Sequence, residues 1–508
     1  MRRSTRRRRR SFCLRDARKP TRSTWSWLPR VRMQRMRRAF WTRPVRRSTQ
    51  PTRPARSPNR FSRGCERALP KGSALLVSGS AAACCAGSST IFWMATGLPS
   101  YDEAATLIAA YSRELHMRPF ATEVVGLRQA AGRVAAKALL ADREMPAFPR
   151  STRDGFACKA AEASSHEFLF LAGSTRAGDA PTGLLPAASV WEIMTGAAVP
   201  AGADAVAMLE HVEQVAGKVR LIPPRVLEPG ENVVPVGVEA RTGEEVVPAG
   251  SRLTASQIAA AAACGYSSLE VFKKPRVAIL TTGDELVGVD QTPGPGKIRN
   301  SNAPMLAALV EQACAEPWVL PVVRDNGAEI ETALREAIQA DMVLISGGVS
   351  AGKFDLVEPA LAQIGARVHF TGVRIQPGKP LVFCEVPRNE SQAVPVFGLP
   401  GNPISSAATF LLFAHPVLSG LAGSNEVRPR FSIAVLTREV KGKSGLTRFV
   451  PSACAFHAVN EANPEVAPVN WQGSGDLAAF ARANCFAVVP EGIDRLSAGD
   501  LVRILPFF

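Results

Sequence analysis

Side chains that commonly build metal centres are scarce or badly spaced in this chain. Only six of its 508 residues are His, without ligand spacing, and none of its ten Cys falls in a Cys-x-x-Cys pair. Structural and catalytic zinc sites need such clusters, so a zinc hydrolase is disfavoured. The Cys of the body lie in apolar stretches such as Val382-Phe383-Cys384 and read as small buried hydrophobes. Cysteines used in this way point to a reducing, cytoplasmic setting. Also missing are the phosphate-loop pattern G-x-x-x-x-G-K-[ST] and the G-x-G-x-x-G fingerprint. Their absence disfavours a P-loop kinase and the usual dinucleotide enzymes.

Acidic residues are nearly missing from the first 72 positions, which hold 25 Lys and Arg against only Asp16 and Glu66. The chain's formal charge of +17 therefore belongs to this leader, and the remaining body is mildly acidic. A basic total would point to nucleic acid, but here it says nothing about the body, and no nucleic-acid partner is expected. The leader has too little apolar surface to order itself. No charge occurs between Lys71 and Asp102, yet the Ser and Gly there make a poor membrane span. Some 70 residues ahead of an apolar core is also long for an export signal, whereas Arg-rich, acid-poor composition fits a transit peptide. The reading preferred over these is that residues 1–93 are a basic, disordered leader outside the working protein, with Met94 as its start. Recovery of peptides from residues 1–90 in the native protein would refute this reading.

Folding begins at Ser100-Tyr101-Asp102-Glu103, a capping box opening a helix to about Leu115. A short helical or mixed segment covers about Val125 to Leu140, and a further helix runs from Thr254 to Ala263. Residues 98–145 and 240–274 thus form a helical linker domain. Residues 146–239 are β-rich, with short apolar stretches divided by Gly, Pro and Asp. Residues 275–422 alternate strands with helices, among them a strand at Val319 to Val323, which predicts a doubly wound, mostly parallel sheet. Residues 423–508 return to short strands and suit a small β domain. The fold class is α/β plus β, multidomain.

The strand Met342 to Ile345 stops at Ser346-Gly347-Gly348-Val349-Ser350, and Asp355 opens a helix. A glycine turn with bare N–H groups at a strand's carboxyl end is where open α/β sheets hold anions. Similar loops are Thr281-Thr-Gly-Asp-Glu285, Gln376-Pro-Gly-Lys-Pro380 and Gly398-Leu-Pro-Gly-Asn-Pro403. At one edge of a parallel sheet they would offer Lys379 and Arg374 as cations and Asp284, Glu285 and Asp355 as hard oxygen ligands for Mg²⁺. Each loop alone is equally an ordinary turn. Together they suit a phosphorylated ligand with a divalent ion.

These loops resemble the motif set of molybdopterin molybdenumtransferases, the molybdenum-inserting enzymes of molybdenum-cofactor biosynthesis related to the gephyrin E domain. Pro146 to Ala157, Ile193-Met-Thr-Gly-Ala197, Gly473-Ser-Gly475 and Ala498-Gly-Asp-Leu-Val502 extend the resemblance from about Leu98 to Pro506. It implies a four-part homodimeric subunit that takes adenylylated molybdopterin and molybdate. Metal-dependent cleavage of the adenylate then releases AMP and molybdenum cofactor. It implies Asp284, Glu285 and Asp355 as metal-side catalytic carboxylates, with Asp325 a further acidic position. Gly347, Gly348, Ser350, Lys379, Pro400, Asn402, Pro403 and Ser405 would shape the substrate pockets. Asp154, as a catalytic residue, and Thr195 would complete the cleft from the second domain or from the dimer partner. Transient contact with the pathway's adenylyltransferase and with molybdoenzymes is also implied. Three departures stand out: Phe156 for a usual Tyr, Asn300 for a frequent Asp, and Val236-Gly-Val-Glu239 for Gly-Glu-Asp. The alternatives are the adenylyltransferase itself, which shares the α/β domain, and a non-catalytic scaffold of the E type.

Overall fold

The computed structural model describes residues 97–116, 121–180, 183–348, 356–455 and 464–507. The expectations placed on residues 1–93, and on Ser350 and Asp355, fall outside the described residues.

The helix Tyr101–His116 starts as its sequence dictates. Glu103 N–H donates to Ser100 Oγ at 3.2 Å, and Glu103 Oε2 accepts from Ser100 N–H at 2.7 Å. Tyr101, Ala104, Ile108, Tyr111 and Leu115 make one apolar stripe, which is buried in the core of the α/β sheet. The segment expected to be helical or mixed, about Val125 to Leu140, is mixed: a helical turn, Leu127–Ala130, and a short strand, Leu139–Leu140, follow the strand Thr122–Gly126. That strand pairs antiparallel with Ser268–Phe272, so sheet pairing holds the two halves of this region together. The helix Ala255–Ala263 is closed at its start by a capping box of Thr254 and Gln257.

The β-rich region forms a six-stranded sheet. Its order is Ala205–Met208, Gly155–Cys158, Ser189–Ile193, Leu169–Thr175, Lys218–Leu221 and Val212–Val215. Phe156 is fully buried in its core, where a tyrosine hydroxyl would need a partner.

The central sheet runs Glu316–Val319, Arg276–Thr281, Met342–Ser346, Ala393–Leu399, Val382–Pro387 and Arg367–Thr371. Its first three pairings are parallel and its last two antiparallel. The turn between Val382–Pro387 and Ala393–Leu399 is too short for a crossover helix, so those strands must fold back on each other. The expected strand at Val319 to Val323 lies earlier, at Glu316–Val319, and only Val323 bridges onward, to Thr282. Alternate residues of Met342–Ser346 enter the two cores, Met342 and Leu344 on one face, Val343 and Ile345 on the other. Burial on both faces explains why this strand is apolar throughout. Pro403–Leu421 is long and apolar enough to cross a membrane, but 83% of its most apolar stretch is buried, so it acts as a core helix here.

The C-terminal strands close on themselves. Thr447–Ala455 pairs with Glu465–Pro468 and Cys485–Val489, and Ser432–Leu436 and Leu501–Pro506 complete the ring. Closure leaves no free edge in this five-strand ring. One extra strand, Ile375–Gln376, reaches across from the α/β region and pairs parallel with Thr447 and Arg448.

Candidate functional site

A cleft of about 880 Å³ opens where the central sheet's loops meet this barrel. The strands Arg276–Thr281, Met342–Ser346 and Ala393–Leu399 deliver their following loops to this edge because they run parallel. The Gln376–Pro380 loop arrives differently. It precedes Val382–Pro387, whose first residue pairs with Gly398 near the end of its neighbour. An antiparallel strand therefore begins where parallel ones end, and the loop reaches the same rim by entering rather than leaving.

On the first rim, Thr282, Gly283, Glu285 and Asp325 line the cleft. Asp284 does not. Its Oδ1 accepts from Asp325 N–H at 3.4 Å while its own N–H donates to Asp325 Oδ2 at 3.4 Å. This reciprocal pair fixes Asp325 beside the Thr282–Glu285 turn, although the two lie far apart in sequence. Lys297 Nζ donates to the Asp284 carbonyl from outside.

Gly347 and Gly348 line the adjoining wall at φ +102° and +63°. A Cβ on Gly347 would stand 2.5 Å from the Thr282 carbonyl oxygen, so only glycine fits. Lys379, Pro400, Asn402 and Ser405 also line the cleft; Pro403 follows Asn402 as the first residue of its helix. The barrel supplies Lys443, Leu446, Arg448 and Trp471 through Ser474. Ile404 N–H donates to the Ser474 carbonyl at 3.0 Å, joining barrel and loop. Burial pushes the Arg448 guanidinium below its ordinary value, and its Nε is buried without a hydrogen-bond partner.

The remaining expected residues lie elsewhere. Asp154 and Thr195 meet each other in the β-rich region, Thr195 N–H and Oγ1–H donating to Asp154 Oδ1 at 2.6 and 2.8 Å. Those bonds hold the Asp154 carboxyl below the usual carboxylate range, the backbone bond more than the hydroxyl bond. Neither residue lines the cleft of its own chain. Glu239 pairs with Arg150 at 2.5 Å. Arg374, expected as a cation at this edge, is paired with Glu491 at 3.4 Å and does not line the cleft. Asn300 is buried and structural, donating to Thr281 Oγ1 and accepting from Ala303 N–H.

Sequence reasoning missed Lys443, Leu446, Arg448, Trp471 and Gln472. They come from a different domain, although Gly442 and Gly445 flank Lys443, and Trp471 and Gln472 directly precede Gly473. The Gly473-Ser-Gly475 match was the one signal pointing there.

One rim thus offers two carboxylates, Glu285 and Asp325, which are hard oxygen donors, while no group of three or more metal-binding side chains occurs among the described residues. The other lining residues offer glycine amides and, among the described residues, the cations Lys379, Lys443 and Arg448, which suit phosphate and other oxyanions. The combination makes a cleft suited to an anionic ligand at the edge of a doubly wound domain. Comparison with known proteins makes the class specific. Residues 99–265 match the family described as "MoeA N-terminal region (domain I and II)". Residues 278–420 match "Probable molybdopterin binding domain" and residues 434–507 "MoeA C-terminal region (domain IV)". The molybdopterin molybdenumtransferase of Haemophilus influenzae is 34% identical over 409 residues, covering 79% of this chain and 98% of that protein. That of a Nostoc species is 33% identical, covering 81% and 94%. A crystal structure of the molybdopterin biosynthesis moeA protein from Pyrococcus horikoshii aligns over 81% of this chain and all of that one, with a TM-score of 0.63 at 27% identity. The chain belongs to the molybdopterin molybdenumtransferase family, and it is an enzyme of molybdenum-cofactor biosynthesis.

Proposed function

We propose that the enzyme inserts molybdenum from molybdate into adenylylated molybdopterin, cleaving the adenylate in a Mg²⁺-dependent step and releasing AMP and molybdenum cofactor. The observation that carries this reading is the meeting of two unlike surfaces in one cleft, a carboxylate rim from the sheet and a cationic wall shared with the barrel. Glu285 and Asp325, braced by Asp284, would hold Mg²⁺, which when bound would offset phosphate charge. The glycine turn Gly347–Gly348 presents backbone where a phosphate or pterin must approach closely. Lys379, Lys443 and Arg448 give the incoming molybdate its counter-charges, Arg448 being anchored by a bond from its guanidinium to the Lys441 carbonyl. These groups would bind both reactants in one cleft, and holding reactants together is one way to lower a barrier.

Asp154 and Thr195 point to a homodimer in which the β-rich region of one subunit covers the cleft of the other. Mixing Asp154→Ala subunits with Lys379→Met subunits should then restore activity that neither homodimer has. In the cytoplasmic setting read from the cysteines, brief contacts with the adenylyltransferase and with recipient molybdoenzymes would complete the reaction sequence. The decisive assay combines the full chain with adenylylated molybdopterin, molybdate and Mg²⁺, and follows AMP release and reconstitution of a molybdoenzyme. Adenylylation of molybdopterin from ATP, or binding with no AMP released, would overturn the assignment.

A further inference from the structure

Asn302 lies behind the cleft at the first position of the helix Asn302–Gln312, and it is 9% exposed. Its Nδ2 donates to Ser346 Oγ at 2.8 Å and to the Gly401 carbonyl oxygen at 2.6 Å. A carbonyl can only accept, so the amide's orientation is fixed by its Gly401 partner. One partner, Ser346, adjoins cleft-lining backbone, and the other, Gly401, belongs to it. Ser346 precedes Gly347 and Gly348, and Gly401 sits between Pro400 and Asn402. The two loops touch, since a Cβ on Gly401 would lie 3.7 Å from Gly347 Cα. Asn302 itself does not line the cleft.

The same amide leaves its Oδ1 buried without a hydrogen-bond partner. An orphaned buried acceptor is costly. An apolar side chain could fill this place without that cost, so stability alone does not account for an amide here. What the amide does, and an apolar group cannot, is bond two loops from two different strands through one nitrogen. Asn300 secures the platform from which it does so, by tying the helix start to Thr281 at the end of a third strand.

We propose that Asn302 is a positioning residue that sets the spacing between the Gly347–Gly348 turn and the Pro400–Asn402 loop. It thereby tunes how closely the cleft grips its phosphorylated substrate. This rests on the molybdenum-insertion reading above and adds a residue to it.

The test compares the full-length parent with Asn302→Ala, Asn302→Asp and Ser346→Ala, measuring KM and kcat for adenylylated molybdopterin together with thermal midpoints. Asn302→Asp keeps the size of the side chain but sets a carboxylate oxygen against the Gly401 carbonyl. A packing role would therefore rank the alanine variant as the more damaging. A positioning role through the donor makes the aspartate variant at least as damaging. The expected result is a KM raised about tenfold or more in both Asn302 variants, equivalent to about 1.4 kcal/mol of binding. It should rise less in Ser346→Ala, which keeps the Gly401 bond, and kcat at saturation should stay within a factor of about three of the parent. Asn302 variants with a parental KM, or with a KM change that merely follows loss of folded protein in the melts, overturn the inference alone. A parent that releases no AMP overturns the functional reading and this inference with it.

Discussion

Glu285, Asp325, Lys379 and Arg448 divide the cleft's work by charge, so their replacements should fail differently. Glu285→Gln or Asp325→Asn should weaken the Mg²⁺ dependence of AMP release about 10- to 100-fold, read as a shift in the metal concentration for half-maximal rate. Lys379→Met or Arg448→Met should instead raise the KM for molybdate about 10- to 100-fold, since each loses a charged donor. The reverse pattern would show that the two walls have been assigned the wrong way round. Gly347→Ala should disturb both, because the methyl meets the Thr282 carbonyl and the backbone holds φ at +102°. The residue scale was the most legible in sequence wherever glycine and proline forced a loop. Gly347, Gly348, Lys379, Pro400 and Asn402 belong to such loops, Ser405 to the helix that follows, and all line the cleft. Asp284 shows the limit. Its motif placed it at the site, but only the reciprocal bonds with Asp325 reveal that its carboxylate braces a neighbour.

Among the elements, the antiparallel end of the central sheet was the least legible. Alternating strands and helices imply parallel pairing, and nothing in the composition of Val382–Pro387 marks its direction. The short turn before Ala393 was the available clue. Its edge strand, Arg367–Thr371, carries a pH-dependent contact. Glu385 is buried, which pushes its carboxyl up, but His369, Arg367 and Tyr111 together outweigh that and hold it below the usual range. A carboxyl with a lowered folded-state pKa adds stability above its unfolded value, about 4.3, and loses it as the pH falls through the folded one. Thermal melts of Glu385→Gln and the parent should therefore differ at pH 7 and converge as the pH is lowered from about 5 to about 2. A gap that persists at the acid end would show that the carboxylate is not the stabilising form.

On the scale of the whole molecule, the sequence marked a small β domain at the carboxyl end but not its contribution to the cleft. Arg448 and Trp471 follow long stretches of ordinary strand and loop, and their meeting with Lys379 depends on a pairing between distant segments. That pairing is the strand Ile375–Gln376 against Thr447 and Arg448. Strand pairings between residues so far apart leave no local trace in composition or period, which is why the barrel wall was missed while the sheet rim was found.

The same pairing is only two residues long, and Thr447 N–H closes it by donating to the Arg374 carbonyl at 3.1 Å. If the barrel and the sheet rim part to admit a ligand, this amide must give up its acceptor and meet water. Its rate of deuterium uptake then counts openings of the cleft. A ligand that bridges the two walls should slow that clock, while amides inside the closed barrel, such as those of Phe486 and Ala487, should keep their own pace. AMP, which the proposed reaction would leave in one part of the cleft, should slow it less than AMP and molybdate together.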